Sequence, residues 1–151
     1  MKLAEALLVR RELLNKVRGI RERIEQNAIV QEGDSPAEKP ELLLQKALGL
    51  LQKEASLVVQ INRTNMNCLL PDGLTMMETL ARRDRLINEQ AVLRGAIESS
   101  YREFRESRQE IKWVNMVDVA ALQEKVEELE TQLRNLNVAI QETNWLTELE
   151  A

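Results

Sequence analysis

Leu122-Gln123-Glu124-Lys125-Val126-Glu127-Glu128-Leu129-Glu130-Thr131-Gln132-Leu133-Arg134-Asn135-Leu136 places its apolar side chains at alternating steps of four and three residues, and Ile140 continues the series. That spacing follows the 3.6-residue turn of an α-helix, so one face is apolar and the other, here rich in glutamate, is solvated. The same stepping recurs in Leu13, Val17, Ile20 and Ile24, in Leu44, Leu48, Leu51, Ala55 and Val58, and in Leu86, Leu93, Ile97, Tyr101 and Phe104, where Gln90 stands between. Four long helices are therefore expected.

The breaks between them are marked by residues with mechanical reasons to stop a helix. The first helix should run from about Leu3 to Ala28, with Gly33 and Pro36 ending it. Ser35-Pro36-Ala37-Glu38 has the spacing of a capping box with proline at the first helical position, which predicts a short turn before a second helix over about Pro40 to Met66. Pro71-Asp72-Gly73 supplies a turn of fixed φ followed by a residue free to take φ > 0. Thr75-Met76-Met77-Glu78 is then a capping box opening a third helix that reaches about Glu106, and the fourth follows Asp118.

Between the last two helices, residues 110–117 are rich in β-branched and aromatic side chains and read as extended. A lone strand cannot satisfy its own backbone, so this segment is expected to form a short β-pair with residues 28–32 or to pair across a subunit boundary. Short connections make sequential helices antiparallel neighbours. The expected fold is thus an all-α, up-down-up-down antiparallel four-helix bundle, and at 151 residues it is expected to be a single domain.

Composition narrows the function. A net charge of −4 with offset basic residues argues against a nucleic-acid partner, which requires clustered, unopposed Lys and Arg. Charge is uneven along the chain: seven basic residues outnumber four acidic ones over 1–28, while eight acidic residues face two basic ones over 118–151. Opposite fields favour the first and last helices being neighbours, within one chain or between chains. Cys68 is the only cysteine and there is no histidine, so neither an intrachain disulfide nor a Cys–His nucleophile can be built. The Glu-x-x-His ligand pairs of di-metal bundles are missing for the same reason. No catalytic residue, metal or cofactor is expected. The charged N-terminus lacks a signal-peptide core and no apolar run is long enough to span a bilayer, which predicts a cytoplasmic protein without a membrane partner.

One stretch departs from the apolar pattern. The stripe of the second helix, continued, falls on Asn62 and Asn65 of Ile61-Asn62-Arg63-Thr64-Asn65. Converting chain position to height in the bundle gathers Asn62, Arg63, Asn65, Arg82, Arg83, Asp84, Asn144 and Trp145 at one end. Such a cluster fixes register or an assembly interface, as polar residues in coiled-coil seams do; the other readings are a pocket for a small polar ligand or an unrecognised enzyme, and solvated helix ends.

Met1-Lys2-Leu3-Ala4-Glu5-Ala6-Leu7, Asn27-Ala28-Ile29-Val30-Gln31-Glu32-Gly33-Asp34, Ile61-Asn62-Arg63-Thr64-Asn65, Leu80-Ala81-Arg82-Arg83-Asp84 and Val117-Asp118-Val119 together resemble a family of small, uncharacterised bacterial helical proteins labelled septicolysin or septicolysin-like. The resemblance implies no catalytic or binding residues. Its label implies a pore-forming cytolysin, but such toxins are large, β-rich and secreted, and a membrane-lytic role is not expected of a short helical chain. The function expected is association through helical faces, as a homo-oligomer.

Overall fold

The structure, a computed structural model, describes residues 1–101 and 113–151. It is all-α, with α1 at Leu3–Asn27, α2 at Pro40–Asn67, α3 at Met76–Ser100 and α4 at Val119–Leu146, consistent with a four-helix bundle of paired helices. Phe104, the expected end of the third helix at Glu106, and residues 110–112 lie outside the described residues.

The expected β-pair is not formed among the described residues. Residues 28–32 and 113–117 carry no strand, and the bridges present are isolated ones at Lys2 with Glu148 and Leu69 with Thr75. The reason for the first lies in Asn27, whose side-chain amide donates to the Arg23 carbonyl at 2.8 Å and accepts the Glu38 N–H at 3.0 Å. One side chain thus closes the loop from both ends, while Gly33 at φ 92° reverses the chain inside it. The Ser35 capping box is absent too, because the Glu38 carboxylate is taken by Arg23, whose Nε donates to it at 2.6 Å.

The chain divides into two compact units, residues 1–68 with 141–151, and residues 69–140. In the first, α1 and α2 pack against each other. Their buried and half-buried positions step by three and four throughout: Leu3, Ala6, Arg10, Leu13, Val17, Ile20 and Ile24 on α1, and Leu43, Ala47, Leu50, Glu54, Leu57, Ile61 and Thr64 on α2. Leu3 and Ala6 pack with Leu57 and Ile61, Arg10 Nε meets Glu54 Oε1 at 2.8 Å, and Arg23 pairs with Glu38. These levels descend α1 as they ascend α2, so the pair is antiparallel. The α1 stripe is the one expected; the α2 stripe is displaced by one residue.

In the second unit, the Pro71-Asp72-Gly73 turn forms as expected, with Gly73 at φ 85° and its N–H donating to the Leu70 carbonyl at 2.9 Å. The Thr75 capping box also forms. Glu78 N–H donates to Thr75 Oγ1 at 3.2 Å, and Thr75 N–H donates to Glu78 Oε2 at 2.8 Å. That backbone hydrogen bond, with the Thr75 hydroxyl, holds the Glu78 carboxyl below its ordinary range. Asp118 caps α4 by accepting the Ala121 N–H at 3.1 Å. The inner stripes are Met76, Thr79, Arg83, Leu86, Gln90, Leu93 and Ile97 on α3, and Leu122, Val126, Leu129, Leu133, Leu136 and Ile140 on α4. Glu130 of α4 receives Arg94 and Gln90 of α3, tying the two helices at that level.

Candidate functional site

The polar end of the first unit is built around Thr64. Its side chain is 1% exposed; Oγ1 donates to the Gln60 carbonyl at 2.9 Å and accepts the Glu150 N–H at 2.9 Å. Around it the residues after α4 are strapped down. Leu3 N–H donates to the Thr147 carbonyl at 2.9 Å, Leu149 N–H to the Met1 carbonyl at 2.9 Å, and Asn67 Nδ2 to the Glu150 carboxylate at 2.8 Å. Lys2 Nζ lies 2.7 Å from Glu148 and donates to the Leu146 carbonyl at 2.9 Å. Hydrogen bonds from Lys2, then from the Met1 amino group, hold the Glu148 carboxyl below its ordinary range. Lys2 and Glu148, which pair opposite charges from the two ends of the chain, lie just outside α1 and α4, whose expected charge attraction is not shown by this pair.

The residues singled out in sequence divide between the units. In the first, Arg63 Nη1 donates to the Ala151 carbonyl at 3.1 Å, Asn62 is exposed, Asn65 is half-buried, Asn144 is buried and Trp145 is exposed. In the second, Arg82 pairs with Asp72 at 3.8 Å and Arg83 Nη2 with Asp84 at 3.3 Å. Asp84 also borders an open groove of about 1110 Å³ between α3 and α4, floored by Leu86, Leu93 and Leu129 and edged by Glu89, Lys125 and Glu128. Among the described residues no group of three acidic or cysteine side chains is placed to hold a metal ion, and no helix is long and apolar enough to cross a membrane.

The displaced stripe of α2 leaves an apolar surface outside. Leu44 is 47% exposed, Leu48 64%, Leu51 40% and Val59 50%, with Ala55 exposed among them. At 100° per residue this stripe lies about a quarter-turn from the inner seam, and Gln45 and Gln52 are its polar members. The charged residues of the span point elsewhere: Glu54 sits in the inner seam, and Lys46 and Lys53 fall on the far side of the helix. In an antiparallel pair, residues one past the seam lie on the same side of both helices. Leu7 and Leu14, which follow the seam residues Ala6 and Leu13 and are themselves exposed, therefore border the same surface, and Arg11, Arg18 and Arg21 share their flank of α1. A helix face of this length without a charge is unusual for a chain in which 30% of residues are charged.

A family of unknown function, DUF6847, matches residues 10–149. The chain belongs to that family. Among solved structures, this DUF6847 chain is similar to a functionally unknown conserved protein from Corynebacterium diphtheriae, with 35% identity, 99% of each chain covered and a TM-score of 0.91. No curated protein matches it. The septicolysin label, and the lytic activity it implies, find no support in these relatives, whose descriptions state no function.

Sequence reasoning passed over Thr64, Asn67, Glu148 and Glu150, which do most of the strapping. The available signal was Thr64 itself, the next step after Leu57 and Ile61 in the alternative frame of α2.

Proposed function

We propose that this DUF6847 protein is a cytoplasmic helical protein that acts by association, as a homo-oligomer. The observation that supports the reading is the charge-free outer surface of α2, where Leu48 is 64% exposed in a helix whose inner seam is already satisfied by α1. Leaving such side chains in water forgoes about 25 cal/mol per Å² of apolar surface, and a second protein surface recovers it. A small polar ligand held by Asn62, Arg63, Asn65, Arg82, Arg83 and Asp84 has less support. Each of the three arginines already meets an oxygen acceptor within the chain.

Light scattering coupled to gel filtration tests this directly. At micromolar concentration and physiological salt the particle mass should be a multiple of 17.4 kDa. A particle of monomer mass throughout that range would refute the reading.

A further inference from the structure

We infer that the outer face of α2 is a two-fold interface with a second copy of this chain, the two α2 helices crossing antiparallel with the axis beside Leu51 and Gln52. This rests on the association reading above and assigns its surface. Three observations point to a second copy rather than an unrelated partner.

The first is self-complementarity of shape. In an isologous contact each residue meets the one at equal distance on the other side of the axis. With the axis beside Leu51 and Gln52, Leu48 faces Ala55 of the second copy and Leu44 faces the second copy's Val59. The most exposed leucine of the stripe thus meets its smallest side chain, twice. The second is charge. The uncharged span ends at Glu41 on one side and Arg63 on the other, and the same operation sets Glu41 opposite Asn62 of the second copy, one residue, about 1.5 Å of helical rise, from the second copy's Arg63. Glu41 has no ion-pair partner among the described residues, and Arg63 engages the Ala151 carbonyl through Nη1, leaving its other N–H groups. The third is area. From Glu41 to Arg63 the helix runs about 33 Å at 1.5 Å per residue. With the flank of α1 alongside, where Leu7 and Leu14 alternate with Arg11, Arg18 and Arg21, a strip two helices wide is about 20 Å across, so the contact buries on the order of 1,300 Å² in total, above the roughly 1,000 Å² a specific interface needs.

The test separates this interface from association in general. Leu48→Glu should convert the wild-type dimer to monomer with unchanged far-UV helicity, because Leu48 makes no part of the inner seam. Glu41→Arg and Arg63→Glu should each raise the dimer dissociation constant at least tenfold, and the double reversal should restore it to within about threefold of wild type. Residues 41 and 63 are too far apart along one helix to touch, so rescue has to come from the second copy. A wild-type monomer overturns both this interface and the association reading. A wild-type dimer that survives Leu48→Glu, or whose charge reversals show no mutual rescue, overturns the interface and leaves association standing.

Discussion

Thr64→Val removes one oxygen from the centre of the polar end and keeps the shape of the side chain. Two hydrogen bonds go with it. The bond to the Gln60 carbonyl costs little, since that oxygen remains the acceptor of the helical N–H four residues on. The bond from Glu150 N–H at 2.9 Å is different, because the donor is partly buried and the hydroxyl is its acceptor. Losing a net hydrogen bond and leaving its donor unmet costs about 1–2 kcal/mol, against which a buried methyl regains somewhat less than 1. The expected net loss of about 1 kcal/mol lowers Tm by about 2–4 °C for a chain of this size. Locally the effect is larger, because the strap can open without the helices: the Leu149 and Glu150 amides should exchange about 5–30 times faster, the factor that 1–2 kcal/mol corresponds to. Hydrogen exchange with thermal melts followed by circular dichroism reads both quantities. Unchanged protection at Leu149 and Glu150, together with an unchanged Tm, would refute the role given to Thr64.

Two further outcomes follow from the same geometry. The carboxyls of Glu38, Glu78 and Glu148 are all held below their ordinary range in the folded chain, by Arg23, by the Thr75 backbone N–H, and by Lys2 respectively. A depressed carboxyl stabilises the fold above its unfolded pKa of about 4.3 and loses that contribution as pH falls through the folded value. Urea midpoints should therefore be flat from pH 7 to about 5 and decline below about 4, and Glu78→Gln should flatten part of that decline; a midpoint that rises on acidification would contradict the assignment. Thr79→Val should leave stability unchanged or raise it by up to about 1 kcal/mol, because Thr79 is fully buried and its hydroxyl has no hydrogen-bond partner among the described residues. Destabilisation by more than about 1 kcal/mol in denaturant melts would show that the hydroxyl is engaged.

The sequence made the helices legible because Thr75-Met76-Met77-Glu78, Pro71-Asp72-Gly73 and Asp118 stop and start the chain by local chemistry, without help from distant residues. The β-pair within the chain does not form among the described residues because local extended propensity says nothing of Asn27, which closes the 28–39 loop through two side-chain hydrogen bonds. The instructive case is α2. Its sequence doubles the apolar residue at nearly every turn, as Leu43-Leu44, Ala47-Leu48, Leu50-Leu51 and Leu57-Val58, so two frames one residue apart are almost equally apolar. Periodicity favours the frame through Ala55 over the one through Glu54, since a carboxylate in a seam is costly unless paired. The fold takes the other frame because Arg10 of α1 occupies the matching level and meets Glu54 at 2.8 Å. That pairing is long-range, invisible to any window on α2 alone, and it also moved the polar continuation of the seam from Asn62 and Asn65 to Thr64. The frame that sequence reasoning preferred still exists, as the exposed surface of Leu44, Leu48, Leu51 and Ala55. A helix with two apolar frames can satisfy two partners, and the ion pair at Arg10 and Glu54 decides which frame α1 receives and which remains for a second copy.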